Sequence, residues 1–177
     1  MKQYVSDIAF TKSVKSIQTR HGSRDSYAKL EKNWWPDYIT PELADFISER
    51  DSFYMATVNG EGQPYIQHRG GPKGFLKVLD DRTLGFADFR GNRQYISYGN
   101  LLENNKVCLF LMDYPSQTRI KIWGTAEVNE DDQVIINQLS DSDYKGKSER
   151  AFIIRVKTWD KNCPQHIIPR YTVDELQ

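Results

Sequence analysis

Long apolar runs, histidine, cysteine and an excess of either charge are all scarce in this chain of 177 residues. Nowhere do apolar residues approach the roughly 18 in succession that a membrane-crossing helix needs. The opening MKQYVSDIAF lacks the continuous apolar stretch of a secretory leader. Lys plus Arg and Asp plus Glu stand at 24 each, and the sequence pI is 6.8. Binding a nucleic-acid backbone takes a concentrated basic face, so this balance argues against such a partner. Only Cys108 and Cys163 are present, and Cys108 lies in the apolar run 107–112. A cysteine in that setting usually acts as a small buried hydrophobe rather than half of a disulfide. The expectation is a cytoplasmic protein with neither a membrane nor a nucleic-acid partner.

Several site signatures are missing too. A zinc site takes about three or four ligands at suitable spacing. Here Cys163 and His166 make one pair, while His21 and His68 lie far off, so no metal is expected. There is no GxSxG elbow, no Walker-type GxxxxGK[ST] and no GxGxxG opening a helix. Nothing marks Cys163 as a thiolate that His166 would activate, and the catalytic residues stay unassigned.

What is present is a change of period along the chain. Residues 11–33 carry Val14, Ile17, Tyr27 and Leu30 at near-helical spacing, interrupted at His21-Gly22, which predicts two short helices. Lys12, Lys15, Arg20 and Arg24 cluster there, either as a solvated face or as a binding patch. Trp34-Trp35-Pro36 breaks the pattern, and the tryptophans read as buried or as a ligand-stacking pair. Thr40-Pro41-Glu42 then opens a helix with Leu43, Phe46 and Ile47 on one face. From Ser52 the period becomes two. Strands are predicted at 53–58, 64–69, 75–79, 83–89, 106–112, 119–128 and 151–158, with helices at 94–103 and 131–139. Short strands with regular turns and peripheral helices make a mainly β, α+β protein with an antiparallel barrel or sandwich. At this length one structural domain suffices, burying roughly 70% of its unfolded surface.

The densest chemistry lies in QHRGGPKGFLKVLDDRTLGFADFRGNRQYISYGN, residues 67–100. Arg69, Lys77, Asn92 and Arg93 stand among glycine-rich turns, so cations, backbone N–H groups and a helix start could grip a small anion together. The order within it is a strand ending at Asp88-Phe89, a turn at Gly91, and a helix predicted to begin near Asn92. Arg93 can fork two N–H bonds onto one anion. Gln94 adjoins it, and Ser97 and Asn100 follow at about one turn each. An ordinary strand–turn–helix junction has the same spacing. On the strand at 64–69, Gln67 and Arg69 share a face and His68 points the other way. Gly70-Gly71 reads as a close backbone approach or as a flexible turn.

Together with the GNRQ and NCPQH motifs, this stretch resembles the pyridoxamine 5'-phosphate oxidase-like proteins over about residues 10–171. The resemblance implies an antiparallel split β-barrel holding FMN. An N-terminal helical extension (1–50) would pack on a barrel domain (51–177). It implies flavin-phosphate contacts at Asn92, Arg93 and Gln94, with glutamine where the family has lysine. It also implies flavin contacts at Phe86, Ala87 and Asp88, and at Arg69 and Lys77 on a facing strand pair. Residues 70–74 look like an insertion. Gln67, His68 and Ser97 join the expected cofactor-binding set.

A second segment, WDKNCPQH at 159–166, matches the end of the last strand in the same branch. By analogy Trp159, Asn162, Gln165 and His166 close the pocket of a partner chain, in a homodimer with flavin near the subunit interface. The alternative is a structural turn after the strand, since Cys163-Pro164 disfavours helix. The resemblance implies an FMN-dependent oxidoreductase acting on an unidentified small substrate. The alternatives are flavin storage or sensing without turnover, and a barrel that holds haem or a deazaflavin. An arginine–leucine–aspartate–arginine type motif near the terminal tryptophan, present in the oxidases proper, is absent.

Overall fold

The computed structural model describes residues 4–33 and 35–176. Trp34, half of the expected stacking pair, lies outside them. A 3-10 turn, Val5–Ile8, precedes α1 (Lys12–Arg20) and α2 (Arg24–Asn33). The Thr11 hydroxyl caps α1 by accepting from the Val14 N–H. Gly22, at φ +73°, lets the chain reverse after α1.

Lys15 and Arg24 form neither a solvated face nor a binding patch. Both close on Glu31, whose side chain is 1% exposed: Lys15 Nζ lies 2.9 Å from Oε1, and Arg24 pairs with Oε2. Arg24 also donates to Gln18 Oε1 at 2.8 Å, and the Ser6 hydroxyl donates to Glu31. Burial pushes the Glu31 carboxyl up, but Lys15 and Arg24 more than reverse this and hold it below its usual range.

Helix α3 (Pro41–Ser48) follows, with Thr40 accepting from the Leu43 N–H at 3.2 Å and Pro41 in the first turn. Leu43 and Ile47 are fully buried in the main core. The strands are β1 (Ser52–Val58), β2 (Pro64–Gly70), β3 (Lys77–Asp80), β4 (Thr83–Phe89), β5 (Lys106–Asp113), β6 (Thr118–Asn129) and β7 (Ser148–Asn162). Helix α4 (Ile96–Glu103) lies between β4 and β5, and α5 (Gln133–Leu139) between β6 and β7. The sheet order is β2-β1-β5-β6-β7-β4-β3, and every neighbouring pair is antiparallel. Alternation places Phe53 and Met55, Leu109 and Leu111, Ile120 and Ile122, and Phe152 and Ile154 inside. This is the mainly β, α+β class expected from the pattern and the split barrel expected from the family resemblance.

Two departures from regular pairing shape the site. Strand β3 pairs β4 only up to Gly85, leaving residues 86–89 without a ladder partner on that side. The side chains of β2 meet this part of β4 across the gap that splits the barrel. On β7 the register shifts opposite Trp123 and Gly124, leaving Lys157 as an extra residue. A Cβ on Gly124 would sit 2.4 Å from the Arg155 carbonyl, so the bulge requires glycine there.

The bulge reverses the phase of β7 beyond it. Thr158 donates to the Pro36 carbonyl at 2.9 Å. Trp159 turns into the main core, 7% exposed, and its indole N–H donates to the Tyr38 carbonyl at 3.0 Å. Trp35 packs on Trp123, with ring centroids 5.4 Å apart, and Phe10 on Trp35 at 5.2 Å, so aromatic contacts tie the N-terminal segment to β6. Cys108 and Cys163 are free thiols, and burial pushes Cys108 up. Among the described residues, no helix is long and apolar enough to cross a membrane, and no cluster of metal-binding side chains occurs.

Candidate functional site

The barrel's split is spanned by charge. Arg69 on β2 pairs with Asp88 on β4, and Arg150 on β7 reaches the other Asp88 oxygen at 2.8 Å. Strand parity explains this meeting. Arg69 shares a face with Gln67, and Arg150 has the parity of Phe152, Ile154 and Val156, so each arginine points inward and needs a counter-charge. The Arg69 guanidinium carbon lies 4.8 Å from the Phe152 ring centre and 5.4 Å from that of Phe86. Burial lowers the Arg69 guanidinium from its usual range, partly opposed by Asp88. Burial acts the same way on Arg150, but Asp88 and Glu130 overcome it and hold this group above its usual range. Arg69 Nε is buried without a partner.

Two clefts flank the Arg69–Asp88 bridge. The larger, about 590 Å³ including its open mouth, is polar and lies between β2, β7 and the turn 91–97. Gln67, Arg69, Asn92, Arg93, Gln94 and Ser97 all line it. The smaller, about 380 Å³, is floored by Phe75, Phe86, Ala87 and Phe89, with His68 and Gly70 at its side. Gly71 packs on Phe75, where a Cβ would sit 2.7 Å from the ring.

The turn differs from its expected form. Helix α4 begins at Ile96, not near Asn92, because Arg93 (φ 60°) and Tyr95 (φ 56°) adopt left-handed backbone incompatible with a right-handed helix. Each such residue costs about 1–3 kcal/mol, and strain of this kind concentrates at ligand sites. The Asn92 side chain accepts from the Gln94 N–H at 3.3 Å and braces the turn. Tyr95 packs its ring 4.9 Å from the Arg150 guanidinium. Ser97 is buried and donates to Gln67 Oε1 at 2.7 Å, which orients Gln67. Asn100 points away and donates to Thr57 at 2.9 Å inside the barrel.

Of the remaining expected residues, only His68 lines a cleft. Lys77 pairs with Gly85 in β3 and lines neither cleft. Exposed His68 meets the Tyr54 ring edge-on at 5.5 Å, on the face opposite Gln67 and Arg69. Trp159 is a core residue of its own chain, because the bulge turns it inward. Asn162 ends β7, with exposed Gln165 and His166 just beyond. Eleven strand residues lie between Arg150 and Asn162, a run of roughly 35–40 Å. Asn162 and the polar cleft therefore sit at opposite ends of one strand.

Sequence reasoning missed Glu149 and Arg150. Glu149 Oε1 lies 3.3 Å from Arg93 and 3.6 Å from Arg90, while Oε2 accepts from Arg150 at 3.1 Å. Glu130 also accepts from Arg150, at 3.0 Å. Four arginines thus meet three carboxylates, leaving one positive charge in surplus. The available signal was the parity of Arg150 at the head of an apolar strand.

The sequence profile described as pyridoxamine 5'-phosphate oxidase matches residues 39–163, well over half of the chain. No curated protein matches it. Among solved structures, Group A Streptococcus HupZ is 21% identical with a TM-score of 0.57, covering 75% of this chain and 99% of that one. An FMN-binding protein from Syntrophomonas wolfei is 14% identical with a TM-score of 0.54, covering 82% and 97%. A Clostridium acetobutylicum protein related to general stress protein 26, of the pyridoxinephosphate oxidase family, is 16% identical at 0.53, covering 77% and 95%. Likeness at these identities establishes the fold alone.

Proposed function

Because the chain belongs to the pyridoxamine 5'-phosphate oxidase family, we propose that it binds FMN in the two clefts and acts as a flavin-dependent oxidoreductase on a small substrate. The observation carrying this reading is a polar, cation-surplus cleft joined across Arg69 to an aromatic one. FMN has the matching halves, a phosphate of about −1.5 to −2 charge and a flat ring. The donor set fits: Arg93, Asn92 and Gln94 surround the phosphate end, and Phe86, Ala87 and Phe89 the ring end. The buried, unpartnered Arg69 Nε lies between them, where a polar ring edge or ribityl hydroxyl would satisfy it. Bound flavin supplies reversible two-electron chemistry. The chain's residues orient it, exclude water and set the charge around it.

In this reading residues 51–177 carry the site and residues 1–50 form a helical extension. The protein works as a homodimer with flavin near the subunit interface. Asn162, Gln165 and His166 then approach a cleft only from a second chain, since their own lies at the other end of β7.

Protein purified from a flavin-replete host should be yellow, with about one FMN per chain. A colourless protein that ignores micromolar FMN would overturn the proposal. Stopped-flow reduction by NADH or NADPH, followed by reoxidation in oxygen, separates an enzyme from a passive carrier, and the visible spectrum separates flavin from haem.

A further inference from the structure

Glu149, the second residue of β7, stands where three arginines converge. Its inner oxygen accepts from Arg150, which is 8% exposed and locked to Asp88. Its outer oxygen faces Arg90 and Arg93, which are 51% and 50% exposed; Arg93 lines the polar cleft, and Arg90 stands just outside its lining. Two guanidiniums gathered on a single carboxylate oxygen would repel each other without it. The arrangement therefore holds Arg93, on the cleft lining, and Arg90 beside it with their charge partly spent. Exposed pairs of this kind contribute little, so exchanging the partner costs little.

The other carboxylates cannot play this part. Asp88 is held between two buried arginines, and Glu130 contacts Arg150 and Tyr98 but neither Arg90 nor Arg93.

We infer that Glu149 is a specificity-determining residue, a built-in carboxylate that occupies Arg90 and Arg93 until a doubly charged phosphate ester displaces it. A phosphate offers three acceptor oxygens and about twice the charge of a carboxylate, so it outcompetes Glu149. A singly charged carboxylate ligand does not. The site thereby rejects monoanions. The inference rests on the flavin reading only for the identity of the phosphate ester.

The test compares full-length wild type, Glu149→Gln and Glu42→Gln, whose carboxylate pairs with Lys161 and lines neither cleft, by titration with FMN and riboflavin, and with acetate as competitor at constant ionic strength. Glu149→Gln should tighten FMN by about two- to fivefold, leave riboflavin unchanged and make acetate a better competitor. Glu42→Gln should leave the FMN-to-riboflavin preference as in wild type. Weaker FMN binding in Glu149→Gln, equal shifts for both flavins, or the same gain in Glu42→Gln would overturn the inference. If wild type binds no flavin, inorganic phosphate serves as the probe and thermal unfolding as the readout. A larger phosphate-induced stabilisation in Glu149→Gln then supports the inference even though the flavin reading has failed, and an equal one overturns it.

Discussion

The protein holds two clusters of buried charge built on opposite plans. In the N-terminal helices one carboxylate, Glu31, is enclosed by Lys15, Arg24 and Ser6, while Gln18 takes another Arg24 N–H. In the cleft, arginines outnumber carboxylates, two guanidiniums face solvent, one buried Nε has no partner, and two residues hold left-handed backbone. The first cluster is closed: every group named meets an opposite within one chain. The second is open, with donors and charge left over and strain where a stable fold has no use for it. A closed network fixes structure, whereas an open one suits the receptor proposed above.

The largest expected effect lies on the structural side. Trp159 joins the barrel core to the Tyr38 carbonyl, so Trp159→Ala should cost about 3–5 kcal/mol in denaturant unfolding. A loss well below 1 kcal/mol would mean that the side chain is not part of the core and is free to serve a ligand.

Glu31→Gln should cost about 3 kcal/mol, the low end for breaking a buried pair, while FMN affinity stays unchanged. Its pH dependence follows from the shift. Lys15 and Arg24 depress the folded-state carboxyl, so its stabilisation is present above the unfolded value of about 4.3. It disappears as pH falls through the lower folded value. Lys15 is raised by Asp7 and Glu31, so its contribution is intact below about pH 10.4 and is lost only above. Wild type should therefore lose more stability than Glu31→Gln on acidification below about pH 4. Parallel acid curves would show that Glu31 is not clamped, and the contrast between the clusters would fail.

On the receptor side, Arg93→Ala should weaken FMN by about ten- to a hundredfold and riboflavin far less, since a charge-assisted hydrogen bond contributes about 1.5–3 kcal/mol. Equal losses would remove Arg93 from the phosphate. The smallest effect belongs to Lys77, which lines neither cleft. Lys77→Ala should change FMN affinity by no more than about twofold, and a larger loss would return it to the site.

Much of the architecture was legible because two-residue alternation is strong here. Strands 53–58 and 83–89, the Thr40-Pro41 helix start and the shared face of Gln67 and Arg69 all follow from local pattern. What escaped depends on contacts distant in sequence. The extra residue at Lys157 inverts Trp159, and alternation alone cannot announce a bulge. The delayed start of α4 comes from left-handed Arg93 and Tyr95, and Tyr95 packs on Arg150 from a strand more than fifty residues away. Lys15 looked like surface because its partner, Glu31, lies on the next helix, and Arg24 because Glu31 stands two turns further along its own helix.

The central claim is that the open cluster receives a phosphorylated flavin, and calorimetric titration of flavin-free protein with FMN and with riboflavin at matched salt tests it most directly. The account predicts FMN tighter by at least about tenfold, with the gap narrowing as salt is raised. Equal affinity for the two at every salt concentration, or no binding of either, would contradict it.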